Sequence, residues 1–364
     1  MKKKKIAILT GGGDCPGINA VIRAVAKKAM LEFGMDVIGI EDGYDGLIHD
    51  RHRKLGYNEV SGILTLGGTI LGASKISNPY QYALQKGKAI VFKDVSRKAI
   101  ANFKKLGVDG LVCIGGDGTL GIACRLMKDG IPVIGVPKTI DNDLRGTEIT
   151  FGFDSAVAFA TEAIDRLHST AQSHHRVMIV EVMGHRSGWI ALYAGVAGGG
   201  DIILIPEIPY SLEAVLAKVR DRKKKGKRFS IVVVAEGAKP KGGDVVVKKI
   251  VERSSDPVRL GGIGFSLSDQ IERATGTETR AVVLGHLQRG GSPTAHDRIL
   301  ATQLGAMAVE LVVLGQFGRM VAVEKGLITS VPLETASGGP RTVPLDHPLI
   351  AAARALGTSF GDSK

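Results

Sequence analysis

One repeated unit constrains this chain more than any other feature: a short β-branched apolar run, a glycine turn, then residues at helical spacing. Apolar runs of this kind stand at Ile6–Leu9, Val37–Ile40, Leu111–Ile114, Val133–Val136, Val177–Val182, Ile202–Ile205, Ile231–Ala235, Ala281–Leu284 and Met320–Glu324. Strands without polar alternation are buried on both faces, and strands alternating with helices form parallel sheets. The expected class is therefore α/β, with two doubly wound, Rossmann-like domains whose mostly parallel sheets face each other across a cleft. Its 364 residues suit two domains. A break is expected near Phe151–Asp154, where a glycine-marked turn precedes a helix at Ser155–Ser169. Ligands in such folds sit at the carboxyl ends of the strands.

Two of the units carry dense glycine. Leu9 leads into Gly11-Gly12-Gly13-Asp14-Cys15-Pro16-Gly17 and a helix at Ile18–Met30. Ile114 leads into Gly115-Gly116-Asp117-Gly118-Thr119 and a helix at Leu120–Lys128. This geometry offers backbone N–H groups and a helix N-terminus to an anion. A tight turn needing positive φ uses the same residues without a ligand. Neither turn is Gly-x-x-x-x-Gly-Lys-Ser/Thr, and Pro16 breaks Gly-x-Gly-x-x-Gly at its last glycine.

The run Thr139-Ile140-Asp141-Asn142-Asp143, just after Val133–Val136, is more telling. If it is extended, Thr139, Asp141 and Asp143 point the same way. Phosphoryl transfer needs a carboxylate to take the proton of the attacking hydroxyl and others to hold magnesium. An Asx-turn capping its own backbone is the structural alternative. Asp117 adds an acid at a second strand end. Basic residues cluster later: Arg176 before one strand, His185 and Arg186 after it, Arg280 near the start of another, and His286 and Arg289 beyond that. Guanidinium binds phosphate through two parallel donors, so the set suits a sugar-phosphate clamp.

Charge agrees with anionic ligands: 48 basic residues against 36 acidic leave a net +12. The densest run, Arg222–Arg228, has no interleaved aromatic residue for stacking bases. It reads as a solvated helix end, and no nucleic acid is expected. Cys15, Cys113 and Cys124 form no Cys-x-x-Cys pair, and reduced thiols in a cytoplasmic protein are the expectation. No apolar run approaches the ~18 residues of a membrane span. The basic start Met1–Lys5 meets only four apolar residues, a first strand rather than a leader.

In order, the runs Gly12–Ala20 (Gly-Gly-Asp-Cys-Pro-Gly-Ile-Asn-Ala), Asp42-Gly43-Tyr44, Gly67-Gly68-Thr69-Ile70-Leu71-Gly72, Gly115–Thr119, Pro137–Asp143, Glu181-Val182-Met183-Gly184 and Leu284–Pro293 resemble the 6-phosphofructokinase family. The match extends from Lys5 to about Glu324. It implies transfer of a phosphoryl group from ATP to the 1-hydroxyl of fructose 6-phosphate, with Mg2+. By motif, Asp141 is the general base, Thr139 and Asp143 its neighbours, and Asp117 the magnesium and donor residue. Gly13, Tyr44, Lys75, Gly116, Gly118 and Thr119 line the donor. Met183, Gly184, His185, Glu236, His286 and Arg289 hold fructose 6-phosphate. Arg176 and Arg280 match arginines supplied by a neighbouring subunit, which implies a homotetramer, or a dimer, with shared sites. The expected partition is residues 1–152 with 288–338 for the donor and 153–287 with 339–364 for the sugar phosphate.

The chain departs from the family pattern in places. His185 stands where Arg commonly follows Met-Gly, and Arg186 comes next. Lys75 replaces an arginine of the bacterial ATP enzymes, keeping the charge without the fork. Of the effector-site cations, Arg23, Lys27 and Lys227 are matched and others are replaced. Gly118 is the ATP-type choice, since pyrophosphate users resemble Gly-Gly-Asp-Asp and an Asp would crowd and repel the α-phosphate. Lys138 is the residue pyrophosphate users share. ATP is the expected donor on the steric ground, with pyrophosphate the alternative. A dinucleotide-binding oxidoreductase finds partial support in Glu41-Asp42 after strand two, but leaves Thr139–Asp143 without a role. A non-catalytic nucleotide sensor would not need the intact acidic run.

Overall fold

The computed structural model describes residues 4–87, 89–253 and 257–362. The strands are β1 (Lys5–Thr10), β2 (Asp36–Ile40), β3 (His52–Lys54), β4 (Tyr82–Lys86), β5 (Ala89–Lys93), β6 (Gly110–Gly115), β7 (Val133–Pro137) and β8 (Val177–Val182). They continue with β9 (Ile202–Leu204), β10 (Ser230–Ala235), β11 (Val247–Ile250), β12 (Val258–Leu260), β13 (Thr279–Val283), β14 (Arg319–Glu324) and β15 (Leu327–Pro332). The helices are α1 (Ile18–Leu31), α2 (Tyr44–His49), α3 (Ser96–Leu106), α4 (Asp117–Lys128), α5 (Phe153–His174) and α6 (Trp189–Ala197), then α7 (Leu212–Lys224), α8 (Ile263–Thr275), α9 (Ala295–Val313) and α10 (Pro348–Ala355).

A seven-stranded sheet runs in the order β15-β14-β7-β6-β1-β2-β3, and a four-stranded sheet in the order β13-β8-β10-β9. The four central pairings of the larger sheet and all three of the smaller are parallel. Strands β6, β7, β8 and β10 are buried at every residue, which is why their sequences show no polar alternation. Of the antiparallel edge strands, β3 is largely exposed and β15 half-buried along most of its length.

The helices cover the sheets. Ile18, Val21, Ile22, Val25, Ala26 and Ala29 form the buried stripe of α1. A Cβ on Gly305 of α9 would lie 2.9 Å from that of Ala24, so the absence of a side chain lets the two helices close up. The segment after Gly338 returns to the smaller sheet, where Ser359 pairs with Ile202 and exchanges backbone hydrogen bonds with Asp201 and Ile203. Two antiparallel hairpins, β4–β5 and β11–β12, stand outside both sheets. They touch where Arg253 donates to Gln85.

This topology decides where chemistry can occur. The ends of β1, β6 and β7 lead into Gly11–Asp14, Gly116–Asp117 and Lys138–Asp143. The ends of β8, β10 and β13 lead into Met183–Ser187, Glu236 and Gly285–Arg289. Every one is a carboxyl end.

Candidate active site

The first glycine turn is built by close approach. Gly11 donates to the carbonyl of Ile114 at 2.9 Å, and a Cβ on Gly11 would lie 2.6 Å from Thr119 Cγ2. Thr119 is thus a buried packing residue under the turn. A Cβ on Gly13 would lie 2.5 Å from Arg289 Nη1 and 2.8 Å from Lys75 Cε. Arg289 Nη1 also donates to the carbonyl of Asp14 at 3.1 Å. The buried ammonium of Lys138 donates to the carbonyl of Gly13. Three cations from three separate segments therefore meet at one glycine. Burial, then the charges of Arg289, Lys138 and Arg259, pushes the Lys75 ammonium down to about 8. Burial also pushes Lys138 below its usual range.

The acidic run bends rather than extends. Asn142 has φ +51°, in the left-handed region. The expectation of an extended Thr139–Asp143 fails because the loop satisfies itself: Thr139 Oγ1 accepts the Asp141 amide at 3.0 Å, and Asn142 Oδ1 accepts that of Thr150 at 3.0 Å. The acids still converge. Burial, then the carboxylates of Asp141 and Asp117, pushes Asp143 up to about 8. Asp141 Oδ1 is buried with no hydrogen-bond partner. Ser187 donates to the Asp141 carbonyl at 3.2 Å, linking the loop to the turn after β8.

On that second side, Glu236 accepts the His185 amide at 3.1 Å, and burial followed by the charge of Asp141 pushes its carboxyl up to about 7. His185 holds φ +52° and Gly184 φ +142°. Met183 is half-buried against the core. His286 is exposed and helps line a concavity of about 730 Å3 together with Leu287 and Gly290. Glu181, two residues before Met183, accepts the amides of Gly262 and Gly264 at 2.9 and 2.8 Å and so anchors the start of α8.

Arg176 and Arg280, the arginines that the family resemblance assigns to a neighbouring subunit's site, lie away from His286 and Arg289 within this chain. They stand at the amino edge of the parallel strands β8 and β13, whose registers start together at Val177 and Thr279. Strands of this length put them roughly 17 Å from the carboxyl edge. There both grip Glu278, at 2.8 and 2.5 Å. Tyr44 is buried, at 3% exposure, and its hydroxyl donates to the Thr119 carbonyl at 2.8 Å.

Helix α4 starts at Asp117, whose carboxylate accepts the Gly118 amide at 2.7 Å, with Gly116 at the cap. A Cβ on Gly118 meets no protein atom within 4 Å. No group of three or more His, Cys, Asp or Glu is arranged to hold a metal by itself among the described residues. The mutual repulsion at Asp143 and the unpartnered Asp141 Oδ1 nonetheless suit a divalent cation that takes its remaining ligands from phosphate.

Lys138, Ser187 and Arg341 also belong to this neighbourhood. Arg341 donates from Nε and Nη2 to the Asn142 carbonyl at 3.2 and 3.0 Å, and it sits in a stretch that reads from sequence only as a loop. The basic run expected as a solvated helix end does close α7, although Arg222 pairs with buried-side Asp201 at 2.6 Å. The three cysteines are free and buried, and no helix of the described residues is long and apolar enough to cross a membrane.

A family model described as phosphofructokinase matches residues 5–312. The chain belongs to the phosphofructokinase family. It is 53% identical over 362 residues to the ATP-dependent 6-phosphofructokinase 2 of Clostridium perfringens, covering 99% of each chain. It is 51% identical over 347 residues to the pyrophosphate–fructose 6-phosphate 1-phosphotransferase of Amycolatopsis mediterranei, covering 94% of this chain and 97% of that one. Among solved structures, the phosphofructokinase of Pichia pastoris in the T-state superposes with a TM-score of 0.80 at 31% identity. The superposition covers 98% of this chain and 37% of the yeast chain.

Proposed function

We propose that this chain transfers the γ-phosphoryl group of ATP to the 1-hydroxyl of fructose 6-phosphate, giving fructose 1,6-bisphosphate and ADP. The observation that carries the reading is the meeting of Lys75, Lys138 and Arg289 at Gly13, opposite a buried, unpartnered carboxylate oxygen of Asp141. Cations there neutralise charge on the transferred group, and the carboxylate takes the proton of the attacking hydroxyl. Mg2+, when bound, neutralises donor phosphate charge, and Asp117 is the residue assigned to hold it.

Donor groups face Gly13, Gly116–Gly118 and Lys75, on the residues 1–152 and 288–338 side. Met183, Gly184, His185, Glu236, His286 and Arg289 face the sugar phosphate, mostly on the residues 153–287 and 339–364 side. Tyr44 and Thr119 act from beneath, by holding the donor turn in place. Arg176 and Arg280, remote in their own chain, serve the acceptor phosphate of a neighbouring copy in a homo-oligomer, a tetramer or a dimer.

Pyrophosphate is the second reading, favoured by Lys138 and by a pyrophosphate-named relative of nearly equal identity. Free space at Gly118 supports ATP, since a nucleotide's α-phosphate needs it. The deciding experiment is an aldolase-coupled assay with fructose 6-phosphate and Mg2+, comparing the two donors. Faster turnover with ATP is expected; faster turnover with pyrophosphate reverses the assignment, and no turnover with either rejects the reaction.

A further inference from the structure

We propose that Lys248, carried by the hairpin β11–β12, is a further substrate-binding residue that grips the phosphate of the sugar acceptor beside His286. The inference rests on the acceptor assignment above and deepens it. The concavity of about 730 Å3 at the end of β13 is lined by Phe159, Gly285, His286, Leu287 and Gly290, together with Lys248. Lys248 and His286 are its ionisable groups, and Lys248 alone among the lining residues comes from the hairpin.

The hairpin aims this side chain through an irregularity in its own register. Val247 pairs with Leu260 and Lys249 with Arg259, so two steps on β11 match one on β12 and Lys248 is the extra residue. A bulge of this kind takes one side chain out of the alternation and redirects it, and bulges are enriched beside active sites for that reason. Lys248 leaves the hairpin across Gly261, where a Cβ would lie 3.6 Å from Lys248 Cδ. The hairpin is tethered just behind that point, where Gly262 and Gly264 donate to the buried carboxylate of Glu181. Its partner strand brings Arg259 near enough for its charge to be felt at Lys75.

Chemistry favours a phosphate for this ammonium. Arg176 and Arg280 are held by Glu278, and Arg222 by Asp201, whereas no carboxylate among the described residues pairs with Lys248. An ammonium on a flexible stem binds phosphate as a point charge and needs no forked geometry. Two-stranded hairpins are only marginally stable alone, so a ligand bridging Lys248 and His286 would also fix the hairpin over the concavity.

The test uses the full chain with Lys248→Ala, Lys248→Arg and, as a control of equal charge, Lys249→Ala. Fructose 6-phosphate is varied at saturating ATP and Mg2+, and binding of fructose 6-phosphate and of fructose is compared by calorimetry. Lys248→Ala is expected to raise KM for fructose 6-phosphate about ten- to hundredfold, the usual worth of a charged hydrogen bond. KM for ATP stays unchanged, and the preference for fructose 6-phosphate over fructose shrinks by the same factor. Lys248→Arg restores most of the affinity, and Lys249→Ala behaves as the wild type. An unchanged KM in Lys248→Ala, in an enzyme whose wild type turns over fructose 6-phosphate, overturns the inference and leaves the proposed reaction standing. An equal rise in Lys249→Ala also overturns it, because the effect is then general charge. A wild type that ignores fructose 6-phosphate rejects the reaction and the inference together.

Discussion

The ammonium of Lys138 donates to the backbone carbonyl of Gly13, tying the loop after β7 to the turn after β1. The residue that most resembles a pyrophosphate determinant is therefore also a structural strut between donor turn and acidic loop. Replacing it with Met leaves that carbonyl without its donor, an omission that costs about 1–3 kcal/mol. Lys138→Met is expected to lose unfolding free energy of that order in urea melts, and to turn over ATP more slowly than the wild type. Wild-type stability together with wild-type turnover would show that the strut is dispensable.

Gly118 separates folding from donor choice. Because a Cβ there meets no protein atom within 4 Å, and an acid in the first turn of α4 suits the helix N-terminus, Gly118→Asp should fold normally. Under the proposed ATP reading, its carboxylate would meet the nucleotide's α-phosphate. The expected outcome is a rise in KM for ATP of about tenfold or more, from like-charge repulsion and desolvation worth at least ~1.4 kcal/mol, with pyrophosphate use spared. Equal loss with both donors would remove the steric argument for ATP.

Lys75 supplies a pH signature. Burial and neighbouring cations bring its ammonium down to about 8, so the charged form prevails below that pH and is lost above it. Since kcat/KM follows the free enzyme, the value for ATP should fall as pH rises through about 8. Lys75→Arg keeps its charge at every accessible pH and should abolish that alkaline limb. A limb that persists unchanged in the arginine variant belongs to another group.

The parallel core was legible because strands such as β6 and β8 are buried on both faces and spell themselves as continuous apolar runs. The hairpins β4–β5 and β11–β12 were not, because β5 and β11 are exposed almost throughout and nothing in their sequence is forced to alternate. The acidic loop was found by composition, but its bend depends on Asn142 adopting a left-handed backbone, held by Thr150 and Arg341 from distant segments. Arg176 and Arg280 show what residue type alone leaves open: the direction of β8 and β13 puts any residue at their start on the edge away from the carboxyl-end loops, which only the topology reveals. Tyr44 reads from its motif as a donor contact, while its burial in the core and its bond to the Thr119 carbonyl depend on the helix after β6 and are invisible in the local sequence.

The proposed mechanism stands on Asp141. Its Oδ1 is buried and unpartnered, while its amide and carbonyl are held by Thr139 and Ser187, so the side chain can change without moving the loop. Asp141→Asn should lower kcat by about two to four decades, the usual contribution of a general base, while both KM values stay near wild type. The measurement is steady-state turnover with each substrate varied. A loss confined to KM would make Asp141 a binding residue instead.

Arg341 holds the acidic loop from the far end of the chain. Its guanidinium donates twice to the Asn142 carbonyl, its amide donates to the Asp143 carbonyl at 2.6 Å, and its planar group lies 4.4 Å from the centroid of the Trp189 ring. Trp189 returns a hydrogen bond from Nε1 to the Arg341 carbonyl at 3.0 Å. The loop carrying Asp141 and Asp143 is thereby fastened to the first turn of α6. Because its bonds run to the backbone of the acidic loop, Arg341 is expected to act by positioning. A displacement of about 1 Å at the base can cost on the order of a hundredfold in rate. Arg341→Ala is expected to lower kcat by roughly ten- to hundredfold, with KM for both substrates little changed. Arg341→Lys should recover only part of this, because an ammonium keeps the charge but loses the fork and the stacking surface. If Arg341→Ala proved less stable yet kept wild-type kcat per folded molecule, its contacts would serve the fold alone.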